Sequence, residues 1–189
     1  WAGLRPGTDR ASLAEAMAAG RCEEVLHVVE PRRGDCIFIP AGTVHAIGAG
    51  LVVAEIQQSS DVTYRLHDWN RVGPDGRPRA LHVEAGLEAV TAFEPVSPTP
   101  RRETSDPAVK RLVDCPHFLF DEIRFDGEWA TDTDDRCRLL AVIGGRVRLD
   151  DRWLLPELGA GSTVFLPAAI GRQTIRAQGP VTLLCVTLP

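Results

Sequence analysis

Three side chains stand at spacings from which β-strands could bring them together: His45, Glu55 and Arg65. His45 closes the stretch Gly34-Asp35-Cys36-Ile37-Phe38-Ile39-Pro40-Ala41-Gly42-Thr43-Val44-His45. Cys36 to Ile39 is a short apolar run that reads as a buried strand. Pro40-Ala41-Gly42 interrupts it, because proline fixes φ and glycine admits φ > 0. Thr43 and Val44 restart a strand. His45 is then either a metal ligand or a hydrogen-bonded core or surface histidine. A hairpin around Gly48-Ala49-Gly50 would set His45 against Val53 and Thr43 against Glu55. Side chains alternate between faces, so Glu55 becomes a diagonal same-face neighbour of His45, about 7–8 Å away between backbones. An imidazole and a carboxylate would share one mouth; otherwise Glu55 is an exposed strand residue. A further strand over 62–67 puts Thr63, Arg65 and His67 on one face, with Arg65 either functional or a surface salt-bridge partner. His82 precedes a short helix over about 84–90 and touches a ligand or makes a structural hydrogen bond.

These residues need elements to hold them. Ser12-Leu13-Ala14-Glu15 has the form of a capping box, which predicts a helix over 13–19 ended by Gly20. A second short helix is expected over 22–27, with His27 solvated on it. Asn70 to Pro78 reads as a loop, and residues 95–107, rich in proline and polar residues, as a linker. Beyond it the texture is β again, with candidate strands at 117–125, 138–143, 146–149, 163–166, 172–177 and 181–188. Gly161-Ser162-Thr163-Val164-Phe165-Leu166-Pro167-Ala168 echoes Gly34 to Ala41 without a gap. Two β-barrels follow from this repeat. In the second, Arg172 stands where His45 stands in the first. A guanidinium has no lone pair for a metal, so residues 108–189 are expected to bind none.

Composition narrows the classes. Hydrophobic residues make up 44% and charged residues 25%, ordinary values for a globular chain. The net charge of −5 gives no support to nucleic-acid binding. No apolar run approaches the roughly 20 residues of a membrane helix, and no signal peptide is read. Five cysteines at 22, 36, 115, 137 and 185 form no Cys-x-x-Cys pair, so a reduced, cytoplasmic protein is expected.

The spacing Gly-x5-Pro-x-Gly-x2-His resembles the second conserved motif of the cupin superfamily, in which the histidine points into a small barrel and binds a metal. The succession that follows, Ala54-Glu55-Ile56-Gln57-Gln58-Ser59-Ser60-Asp61, then Thr63-Tyr64-Arg65, Asp68-Trp69, Gly76-Arg77-Pro78-Arg79 and Leu81-His82, resembles the class I mannose-6-phosphate isomerases. The match is close over about residues 30 to 90 and looser elsewhere. It implies an all-β fold of two cupin-like jelly-roll barrels with a short helical insertion. Residues 1–94 would be the C-terminal part of the catalytic barrel, 95–107 the linker and 108–189 a metal-free second domain. The resemblance implies zinc, with His45 as a ligand. Glu55 and Arg65 would lie in the sugar site as catalytic and substrate-binding groups. The substrate would be a sugar phosphate, interconverted between mannose 6-phosphate and fructose 6-phosphate through an enediol. In the family a glutamine and histidine close together and a glutamate complete the zinc site. These ligands are expected upstream of Trp1, so the chain is expected to bind zinc weakly and to be inactive alone. The oligomeric state is open. A cupin of other metal chemistry, such as an iron dioxygenase, needs a His-x-His pair that is absent. A non-catalytic sugar-binding cupin and a purely structural fragment remain as alternatives.

Overall fold

The computed structural model describes residues 1–189 except 61, 132, 133, 150–155 and 189. The chain divides into two compact units, Trp1–Pro98 and Thr99–Pro189.

The second unit is a sandwich of two antiparallel sheets. One has the strand order β1-β2-β3-β10-β5-β8 and the other β4-β9-β6-β7. The strands are β1 Arg102–Glu103, β2 Val109–Cys115, β3 Phe118–Phe125, β4 Glu128–Ala130, β5 Arg138–Gly144, β6 Arg146–Leu149, β7 Leu158–Gly159, β8 Thr163–Leu166, β9 Thr174–Ala177 and β10 Val181–Thr187. Six of the ten were expected from apolar patterning. The four others are β2, its two-residue edge partner β1 inside the expected linker, and the short β4 and β7. The apolar residues of both sheets meet between them. Ile123, Leu140, Val142 and Leu183 from the first sheet pack with Val147, Leu149 and Ile175 from the second. This is the cupin-like, mostly β architecture expected.

The first unit has a smaller core of Leu4, Leu13, Leu26 and Val90. Helix α1 spans Arg10–Ala18 and α2 Val83–Ala89. The capping box of α1 sits one turn earlier than expected. Asp9 is the N-cap, accepting from the Ser12 N–H at 2.8 Å, while the Ser12 hydroxyl takes the Asp9 N–H at 2.9 Å. Both Asp9-x-x-Ser12 and Ser12-x-x-Glu15 offer a cap, and aspartate there gains from the exposed N–H groups. The expected helix over 22–27 is only a 3-10 turn, Cys22–Glu24. His27 is half-buried outside any helix, and its backbone N–H donates to the Gly3 carbonyl.

The strands expected at 36–39, 43–47 and 62–67 and the hairpin arm after Gly50 form no ladder among the described residues. Single bridges link Ala2 with His45, Thr43 with Ala92 and Gly3 with Pro95. Strand preference is preference for a paired, half-buried surface. Among the described residues these segments join no strand ladder, so the apolar pattern alone does not make them a sheet.

The repeat is visible in backbone geometry. Gly34 and Gly161 have φ of 91° and 92°. Each is the third residue of a turn closed by an i to i+3 bond, Asp35 N–H to Arg32 O and Ser162 N–H to Gly159 O. After the prolines the match continues, with Thr43 N–H to Pro40 O and Ile170 N–H to Pro167 O, both 3.2 Å.

Candidate functional site

His45 is fixed from three sides. The turn after Pro40 needs Gly42 at φ 80°. The Gly42 carbonyl accepts from Thr91 and Ala92 N–H at 3.1 and 3.3 Å. Val44 O accepts from Gly3 N–H, and Ala46 exchanges bonds with Trp1 in both directions. The exposed His45 ring places Nδ1 3.0 Å from the Thr43 carbonyl. A carbonyl only accepts, so Nδ1 carries the proton, and in the neutral ring Nε2 keeps its lone pair. That is the tautomer in which a backbone carbonyl orients a metal-binding imidazole. Thr43, two residues earlier, is buried, and its Oγ1 has no hydrogen-bond partner among the described residues. A buried hydroxyl left unpaired calls for a partner such as water or an ion.

His45 therefore fits as one metal ligand. No group of three His, Cys, Asp or Glu side chains able to hold a metal occurs among the described residues. The closed set that zinc needs is not assembled by them.

Glu55 is exposed, and no described ladder carries it to His45. Arg65 is half-buried and well anchored. Its Nη1 donates to Ala80 O at 3.0 Å, and its Nε lies 3.8 Å from Asp68. The Arg65 N–H donates to His82 Nδ1 at 3.2 Å, and His82 N–H returns a bond to Arg65 O at 2.8 Å. His82 is thus a structural partner of the Arg65 segment. Thr63 is exposed. His67 lies edge-on to Trp69, ring centres 4.9 Å apart, and Trp69 lies 5.3 Å from Trp1. Trp1 bonds Ala46, so a chain of contacts runs from the His45 strand to the Arg65 segment.

Sequence reasoning missed the centre of that segment. Asp68 is buried, and the Arg79 fork grips both its oxygens, Nε to Oδ2 at 2.7 Å. The Arg79 hydrogen bond holds its carboxyl below the usual 3.8, with Arg65 and Arg71 adding to the effect. The signal that was available is an aspartate within the mixed apolar and aromatic run Tyr64-Arg65-Leu66-His67-Asp68-Trp69. In the second unit, Arg172 and His117 are both exposed.

A mostly β, cupin-like protein with one oriented imidazole is the class that this fold and site define. No family model matches the chain. The mannose-6-phosphate isomerase of Streptococcus mutans is 32% identical over 159 residues, 84% of this chain and 50% of its own length. Mannose-6-phosphate isomerase ManA of Bacillus subtilis is 30% identical over 170 residues, 87% of this chain and 53% of its own. The crystal structure of the mannose 6-phosphate isomerase from Bacillus subtilis superposes with a TM-score of 0.85 at 27% identity, covering 98% of this chain and 59% of that one. The chain is a homologue of the class I mannose-6-phosphate isomerases, matching their C-terminal half. It spans about half the length of the curated relatives it matches. No described helix is long and apolar enough to cross a membrane.

Proposed function

We propose that the intact protein is a cytoplasmic isomerase that interconverts mannose 6-phosphate and fructose 6-phosphate. The observation that carries this reading is the Nδ1–H bond from His45 to Thr43 O, made within a chain homologous to such isomerases. We assign His45 Nε2 as one zinc ligand, with the remaining ligands outside the described residues. Bound zinc would supply charge to stabilise an enediolate oxygen. Arg65 is the protein's own cation for that charge, with a planar fork that also suits phosphate or hydroxyl oxygens. Asp68 positions Arg65. Glu55 is assigned to proton relay and substrate contact, reached when the segment after Gly50 packs into the complete site.

The test is metal analysis and steady-state kinetics on the intact protein. His45→Ala is expected to lose zinc and turnover together. Arg65→Ala is expected to keep zinc and lower kcat by about 10²-fold, the scale of a lost oxyanion donor, with Arg65→Lys recovering part of it. Near-normal kcat in Arg65→Ala would remove Arg65 from the site. An intact wild-type protein without isomerase activity would favour the non-catalytic sugar-binding reading.

A further inference from the structure

The interior of the second unit changes character along its strands. The registers of β3, β10 and β5 align Ile123, Leu183 and Val142 in one row. The next row is Asp121, Cys185 and Leu140, with Arg111 opposite Asp121 on β2. The third is Leu119, Thr187 and Arg138. The apolar core thus gives way to charge, and the charged rows wall a cavity of about 140 Å³.

Three guanidinium and three carboxylate groups line this cavity: Arg111, Arg136, Arg138, Asp106, Asp121 and Asp134. Arg111 pairs with Asp121, which is only 7% exposed. Arg138, 9% exposed, pairs with Asp134 at 2.5 Å, and Arg136 reaches the same carboxylate at 2.6 Å. Trp129 forms part of the wall and donates its Nε1–H to Asp106 at 2.9 Å. For stability alone this is a poor use of an interior. Apolar side chains of similar shape usually serve as well as a buried ion pair or better, and small barrels close-pack with side chains. A cavity ringed by fixed donors and acceptors is instead the form of a ligand site.

The lining selects the ligand. Its formal charges cancel, so neither an anion nor a cation is favoured. The carboxylates accept from hydroxyls, the guanidinium N–H groups donate to hydroxyl oxygens, and the indole offers an apolar wall to ring C–H groups. At roughly 10–15 Å³ per water-sized position, the cavity holds about ten, close to the heavy-atom count of one sugar ring with its hydroxyls. We propose that this cavity binds one neutral monosaccharide or polyol of that size. Burial, which outweighs the Arg111 pair, raises the Asp121 pKa.

The test is titration of the whole chain with D-mannose and with mannitol, followed by ligand-observed NMR. Saturable binding with Kd of about 1 mM is expected for a ligand of this size. The double variant Arg111→Met/Asp121→Leu removes a charge pair while keeping bulk. It should melt no lower than wild type and bind at least tenfold more weakly. Should it fail to fold, Arg136→Lys, at a side chain more than a third exposed, should keep the fold and weaken binding at least threefold. His45→Ala should bind as wild type does. The proposal fails if neither compound binds at ten times that concentration, if the pair variant or the folded Arg136→Lys binds like wild type, if His45→Ala abolishes binding, or if inorganic phosphate displaces the sugar. An intact protein without isomerase activity whose 99–189 unit still binds mannose would overturn the preceding reading and leave this one intact.

Discussion

Asp68 and Asp121 are both buried aspartates held by arginine, yet their carboxyls are driven in opposite directions. At Asp68 the Arg79 hydrogen bond prevails and lowers the pKa from 3.8. At Asp121 burial prevails over Arg111 and raises it. The signs matter for stability. A lowered carboxyl favours the folded, ionised state, so the Asp68 contribution is present above about pH 4 and is lost as pH falls through its folded pKa. A raised carboxyl contributes below its unfolded pKa and loses that contribution as pH rises through the folded value, so Asp121 makes the acid limb shallower. Asp68→Asn is expected to lower the melting temperature at pH 7. The gap from wild type should close as pH falls below the unfolded value of 3.8 and through the lower folded one, read from thermal melts across that range. A gap that stays constant with pH would refute the assignment. His45 was legible in the sequence because the turn that holds it is local. The Asp68–Arg79 pair was not, because its halves are eleven residues apart across a glycine- and proline-rich loop, and no spacing rule joins them.

At the scale of elements, the two turn-and-strand repeats share their opening glycine and the bond after the proline, but the first has Gly42 where the second runs into Ala168–Ile170, a 3-10 turn. Gly42 has no room for a side chain. A Cβ there would collide with Thr91 Oγ1 and crowd the Thr91 N and Ala89 O atoms, at a φ that L-residues rarely adopt. Gly50 has a similar φ of 81° with open space around it. Gly50→Ala should therefore show only the backbone penalty, about 1–2 kcal/mol, and Gly42→Ala clearly more, measured by denaturant melts. Equal losses would mean that the close approach to Thr91 is not rigid. Strands β5 and β10 were legible from their apolar runs, and β3 from its three phenylalanines with Leu119 and Ile123; all three are paired on both sides. β4 and β7 are three and two residues long, too short to carry a period. The segments 36–39 and 62–67 carry strand composition without ladders, because pairing is a property of neighbours and not of a segment.

For the whole molecule, the division at Pro98 and Thr99 has unequal consequences. Every described ladder between named strands lies in Thr99–Pro189, and so does the ten-residue buried core. A fragment of residues 99–189 should unfold in one cooperative transition seen alike by far-UV and near-UV circular dichroism. A fragment of residues 1–98, with four buried core residues, should melt lower and less sharply. Coincident melts of the two fragments would contradict this. The first unit also leaves Phe38, Ile47, Leu51, Val52, Val53, Val62, Tyr64, Val72 and Leu81 exposed, which bears on how molecules of the chain meet one another in solution. At low ionic strength the net charge of −5 keeps them apart. Salt shortens the reach of that repulsion to about 10 Å at 0.1 M and leaves the contact between oily side chains untouched. The osmotic second virial coefficient of the chain, followed by static light scattering, should fall and change sign as salt is added. Substituting Val52 and Val53 by serine should move that crossing to higher salt.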